Sequence, residues 1–288
     1  MKQSLEPRWS SFCASNQRCC DDVLAWLVTP VDADRVHAIR LVCKTLRASW
    51  QWLQTDADTR RIARQRGRVL AQVAALLADH REQQVMADWL QQLSDKSTGS
   101  QRLALGYAKR RLLTPISEAL TLDVAGLELV FRDEMLLWRN LARQSVSKRW
   151  WQTGYQRCWQ KAADLAADAC LNDNSLAYHS WRKWVKYELL VGRLVHIESL
   201  ARDSGRKAGA YWQQRQTGLH QLASQLGDFH DLCVLRQRIQ ALEFSRKVPA
   251  WPQQVVVVLD AEMEQLKCAL AGQRLACYEL QEPQRHAG

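Results

Sequence analysis

Residues 33–54, ADRVHAIRLVCKTLRASWQWLQ, decide how the chain folds. Wound at 3.6 residues per turn, Val42, Leu46, Trp50 and Leu53 fall on one side. His37, Arg40, Lys44 and Arg47 fall within a narrow stripe on the other. The segment therefore reads as a helix that buries one face and carries a cationic strip on the opposite face. Thr29-Pro30 ends the helix before it, and Asp32 or Asp34 supplies a capping oxygen at its start.

The same periodicity continues in both directions. It predicts helices over 5–28, 33–54, 57–79, 82–94, 100–120 and 123–145, then over 147–172, 174–202, 206–226, 229–246 and 251–280. Turns come from the polar run 97–100 with Gly99, and from Asn172-Asp173-Asn174-Ser175. The β-branched run Val255 to Val258 reads with its flanks as the start of a buried helix. Twelve Gly and six Pro are too few for the turns of an all-β chain, so the expected class is all-α. A length of 288 residues exceeds one helical core, which predicts two units, 1–145 and 146–288. Most of the thirteen Trp recur at helical spacings, where such side chains fill core space.

The two halves read as copies. His37-x-x-Arg40-x-x-x-Lys44 returns as His179-x-x-Arg182-x-x-x-Lys186, each on the second helix of its half. In the second copy His179, Arg182, Lys186 and Arg193 form the stripe, with Lys183 beside it and Trp181, Trp184 and Val195 opposite. Glu188 falls among the apolar positions, where it either pairs with a buried base or marks an interface.

A formal charge of +10, from 40 basic and 30 acidic side chains, points to an acidic partner. Like charges three or four residues apart repel by about 0.2–0.5 kcal/mol per pair in an isolated helix. Such a stripe is tolerable when solvated and useful when a polyanion occupies it. Arg grips phosphate with two parallel hydrogen bonds, Lys acts as a point charge, and His adds a cation only when protonated. Further basic positions recur as Arg60, Arg64 and Arg68, as Lys109 with Arg110, and as Arg157 with Lys161.

Nine Cys, an odd number without a CxxC pair, read as reduced thiols in amphipathic segments. The N-terminus MKQSLEPRWSS lacks the apolar core of a signal peptide, and no apolar run is long enough to span a bilayer. A cytoplasmic protein without a membrane contact is the expectation. No clustered zinc ligands, phosphate-cradling glycine loop or paired-His motif occurs, so neither a metal, a cofactor nor catalysis is expected.

His179-Ser-Trp-Arg182-Lys183-Trp-Val-Lys186 resembles the H-x-x-R-K-x-x-K helix of the CHAD family, the conserved histidine α-helical domain. Val36-His37-Ala-Ile-Arg40-Leu-Val-Cys-Lys44-Thr-Leu-Arg47 is similar to that family's first-half motif. Leu226-Gly227-Asp228-Phe229-His230-Asp231-Leu232 resembles a later second-half segment, and Gly154-Tyr155-Gln-Arg157 with Lys161 the basic helix before the second histidine motif. The chain departs from the pattern at Leu70-Ala71 and at Tyr187-Glu188-Leu189-Leu190. The resemblance implies two four-helix bundles related by a pseudo-twofold, inorganic polyphosphate bound along a basic surface or central groove, and targeting to polyphosphate granules and their associated proteins. It carries the binding role to His37, Arg40, Lys44, Arg47, Arg157, Lys161, His179, Arg182, Lys183, Lys186 and Arg193, and Arg64 of the recurring basic row joins them as an expected contact. His230 matches too, as a structural hydrogen bond or as a ligand contact.

The family is often joined to a triphosphate-cleaving barrel with an ExExK signature. Glu262-x-Glu264-x-x-Lys267 has the wrong spacing and reads as an exposed helix face. Non-specific nucleic-acid binding is the alternative function, disfavoured because most Trp lie on apolar faces instead of presenting stacking surfaces. A third reading is a helical scaffold for an acidic protein.

Overall fold

Three helices begin where a short polar side chain accepts an otherwise orphaned backbone N–H. Asp32 accepts from the Arg35 amide at 2.8 Å and Asp123 from the Gly126 amide at 2.9 Å. Asn174 accepts from the amides of Leu176 and Ala177 at 3.1 and 3.3 Å. Asp173, just before it, takes the left-handed backbone (φ 49°) that lets the chain stop and restart there.

The computed structural model describes residues 6–54, 57–77, 79–112, 123–144, 148–201, 206–242 and 251–279. The chain is all-α, with no strand among the described residues. The helices are α1 (Glu6–Leu27), α2 (Ala33–Leu53), α3 (Ala57–Leu76), α4 (Asp79–Lys96) and α5 (Gly99–Leu112). They continue as α6 (Val124–Leu141), α7 (Lys148–Leu171), α8 (Ser175–Ala201), α9 (Arg206–Gln240) and α10 (Trp251–Arg274), which ends in a π-helical turn, Leu275–Glu279. Val255–Val258 lies inside α10.

One expected boundary is wrong. Helices over 206–226 and 229–246 are a single helix, α9, to Gln240, and 243–250 lie outside the described residues. The apolar series Leu219, Leu222, Leu226, Phe229, Leu232, Leu235 and Ile239 is buried at unbroken three- and four-residue steps across Gly227. One helical glycine costs only about 1 kcal/mol, less than this burial returns.

Contacts divide the chain into two compact units. Unit 1 takes Met1–Ala78, Ala119–Ala162 and Trp184–Gln216; unit 2 takes Asp79–Glu118, Ala163–Lys183 and Thr217–Gly288.

In unit 1, α2 packs on α3 and α1 on α6. Val42, Leu46, Trp50 and Leu53 are buried, so α2 has the rotational phase its sequence demands. An aromatic cluster fills the centre: Phe12 stands edge-on to Trp52 and Trp138 at 5.0 and 5.6 Å, and Trp50 lies 4.5 Å from Trp138. Two indoles sit directly on helix backbone. A Cβ at Gly154 would lie 1.9 Å from Trp52, and one at Gly192 would lie 2.0 Å from the Trp212 ring. Glycine is required at both.

Two buried acids are satisfied by long-range partners. Glu134 on α6 accepts from the indoles of Trp50 (2.8 Å) and Trp138 (3.2 Å) and from Arg66 Nε (2.6 Å). Burial pushes its pKa up, while Arg66 and the two indoles hold it down. Glu188 accepts from Arg215 Nε at 2.9 Å and from a second nitrogen of the same guanidinium, both side chains being at most 1% exposed. Of the two readings of Glu188, pairing with a buried base is the one the structure contains.

In unit 2, α4 and α10 both pack on α5 around Leu90, Leu105, Leu235 and Leu259. Tyr178 packs on Phe229 at 4.5 Å, joining α8 to α9. The nine cysteines are free. No described helix is long and apolar enough to cross a membrane.

Candidate functional site

Because α2 buries its apolar face, the opposite stripe is left partly open to solvent. Lys44 is exposed, and His37, Arg40 and Arg47 are half-buried. Arg47 is close enough to Tyr187 on α8 to pull down a phenol pKa that burial raises. The neighbouring Cys43 thiol is pushed up to about 12 by burial.

On α3, Arg66 turns inward on the same face as the buried Ala63 and Leu70 and is held by Glu134, which fixes the rotation of the helix. Its outward face presents Arg60, Arg61, Arg64 and Arg68, all exposed, around a cavity of about 580 Å3 that Gln65 and Val69 complete. Arg60 Nε donates to the Gln54 carbonyl at 3.1 Å, which ties the first turn of this row to the end of α2.

Arg157 on α7 belongs to the same neighbourhood. Burial lowers its pKa from the usual guanidinium value, and Arg64 and Arg60 press in the same direction. Its Nη1 donates to the Gln51 carbonyl at 2.8 Å and its Nη2 to Gln54 Oε1 at 3.2 Å. Its guanidinium carbon stands 5.5 Å from the centroid of the Trp184 ring. Lys161, one turn on, is exposed, as is Lys186 on α8. Unit 1 thus gathers Arg60, Arg64 and Arg157 from two helices, and cations this close favour an anion among them.

Unit 2 holds a different group. His179 Nδ1 on α8 lies 3.2 Å from His230 Nδ1 on α9. Burial, Lys183, His230 and Arg182, in that order, lower the His179 pKa to about 4. Arg182 Nη1 is 3.9 Å from Asp231, and its guanidinium lies 3.4 Å from where a Cβ on Gly227 would stand. Asp228 is pushed up by burial and by Asp231, against Arg182. Lys183 is exposed. The imidazole pair brings His230 beside His179 in the same basic group.

Of the positions expected from sequence, Arg64 and Arg157 are brought together in unit 1, and His179, Arg182 and Lys183 in unit 2. Arg193 lies in α8, but its side chain is outside the described residues. Sequence reasoning left Arg61 out of the row around Arg64, although its exposure follows from the same periodicity. Asp228 and Asp231 stand in the Leu226–Leu232 segment, but helix spacing alone did not place them with the basic group, which they join through α9. Glu262 and Glu264 on α10 each face a lysine, Glu262 meeting Lys96 at the end of α4 at 3.0 Å and Glu264 meeting Lys267 on its own helix at 2.8 Å. Among the described residues no group of three or more His, Cys, Asp or Glu could hold a metal ion.

Comparison with protein families matches residues 14–240 to the model of the CHAD domain. Comparison with curated proteins gives no match.

Proposed function

The chain belongs to the CHAD domain family, and from that membership we propose that it binds inorganic polyphosphate through rows of Arg, Lys and His on its helix faces. CHAD domains in general bind polyphosphate. The observation that carries the reading for this chain is the row Arg60, Arg61, Arg64 and Arg68 around one cavity, with Arg157 beside it. Guanidinium groups along a helix face match a flexible chain bearing about one charge per phosphate, because each offers paired donors to phosphate oxygens.

His37, Arg40, Lys44, Arg47, Arg64, Arg157, Lys161, His179, Arg182, Lys183, Lys186 and Arg193 are the proposed contacts. The halves 1–145 and 146–288 are proposed to be duplicated copies, each presenting one histidine motif. The role is retention of polyphosphate at cytoplasmic granules, with granule-associated proteins as further partners and no turnover of the phosphate chain.

The test is competition between labelled long-chain polyphosphate and duplex DNA at about 0.15 M salt, where distant surface charges are screened. Wild type is run beside a variant carrying Arg40→Glu, Lys44→Glu, Arg182→Glu and Lys186→Glu, its folding checked by circular dichroism. Polyphosphate binding that DNA fails to displace, and that the folded variant loses, supports the proposal. Equal displacement by DNA reduces it to general polyanion binding. Phosphate release from the polymer, lost in His37→Ala or His179→Ala, would overturn the non-catalytic role.

A further inference from the structure

Trp184 is half-buried on α8, and one side packs against the apolar core of unit 1. Tyr187 meets the ring edge-on, 5.4 Å between centroids at 79°. The Arg157 guanidinium lies over the ring at 5.5 Å from its centroid. Arg157 is itself anchored, by the Gln51 carbonyl at 2.8 Å and Gln54 Oε1 at 3.2 Å.

An indole beside a row of arginines is the combination that single-stranded nucleic-acid binders use. The cations follow the backbone and the aromatic face stacks a base. In this chain the face beside the cations already carries a guanidinium, a favourable cation–π partner. A base can stack there only by displacing Arg157, which breaks both of its hydrogen bonds and uncovers the ring. A polyphosphate chain has no base to place. It meets the same guanidinium edge-on, with Arg157 still anchored.

We propose that Arg157 is a specificity-determining residue. It covers Trp184 so that the cationic face of unit 1 accepts a bare phosphate chain and discriminates against single-stranded nucleic acid. The proposal rests on the polyphosphate reading above and adds the means by which that ligand is told from a nucleic acid of equal charge.

The experiment measures polyphosphate and oligo(dT) of matched charge against wild type, Arg157→Ala, Arg157→Gln and the double variant Arg157→Ala with Trp184→Leu. Removing one cation weakens both ligands by counterion release, so the ratio of the two affinities is the readout. Uncovering the ring should shift that ratio toward oligo(dT) by about tenfold, within the range of one base–aromatic stack. Replacing Trp184 should return the ratio to the wild-type value. An unchanged ratio in both single variants, with helicity intact by circular dichroism, overturns the proposal. So does a gain that persists without Trp184. If wild type binds no polyphosphate, the functional reading falls alone, because oligo(dT) affinity in Arg157→Ala against the equally charged double variant Arg157→Ala with Trp184→Leu still reports whether the uncovered ring stacks a base.

Discussion

His179 and His230 face each other through their Nδ1 atoms at 3.2 Å, a separation at which one proton is shared and two would collide. Burial first, then Lys183, His230 and Arg182, lower the His179 pKa to about 4, which keeps the ring neutral at pH 7. Its folded pKa lies below the unfolded value, so the associated stability is fully present above about 6.5 and is lost as pH falls toward 4. Imidazole NMR in the free protein should show His179 uncharged at pH 6. Acid unfolding between pH 6.5 and 4 should be shallower in His179→Gln. A His179 signal that titrates near 6.5 would refute this.

Glu188 and Arg215 form a buried pair whose members depend on each other. Glu188→Leu leaves a guanidinium buried without its carboxylate and should cost about 3–5 kcal/mol in urea denaturation. The double variant Glu188→Leu with Arg215→Met should recover most of that loss, because an apolar pair removes the desolvation cost of both charges. A double variant as unstable as the single one would contradict this account.

Alanine at three glycines should have opposite effects. At Gly154 and Gly192 the new methyl would overlap Trp52 or Trp212, so each variant should lose about 1–3 kcal/mol or more as the indole is forced out. At Gly227 the methyl meets Arg182 at an ordinary contact distance of 3.4 Å. Gly227→Ala should therefore stabilise α9 by up to about 1 kcal/mol through helix propensity. Thermal melts of the three variants separate the cases.

Arg60, Arg64 and Arg68 line one cavity on one helix face. Replacing all three with Ala should leave stability within about 0.5 kcal/mol per site, as exposed substitutions generally do. The slope of log affinity for polyphosphate against log salt should fall by roughly 2–3, by analogy with about 0.7–0.9 per phosphate contact in nucleic acids. An unchanged slope would remove this row from the binding face.

Helix phase was legible in the sequence because it is local. The burial of Val42, Leu46, Trp50 and Leu53 and the exposure of Lys44 follow from a 3.6-residue period alone. The break expected between 226 and 229 does not exist because the apolar spacing on both sides of Gly227 stays in register through α9. Partners were illegible for a different reason. His179 and His230 are 51 residues apart, and Arg66 and Glu134 are 68 apart. Nothing in the local pattern of either residue encodes which distant helix will arrive opposite it.

Neither compact unit is a continuous length of chain. Unit 1 needs residues as late as Gln216, and unit 2 opens at Asp79 and closes in the last segment of the chain. A ribosome therefore exposes the first 78 residues of unit 1, indole-rich and basic, well before the segments that complete their packing have been synthesised. Residues 79–118 of unit 2 wait longer still for Thr217 onward. During translation the nascent protein carries two unfinished cores at once. Limited proteolysis of stalled ribosome complexes should find no protection of either core until residue 216 has emerged, with unit 1 protected first and unit 2 only after its last segment.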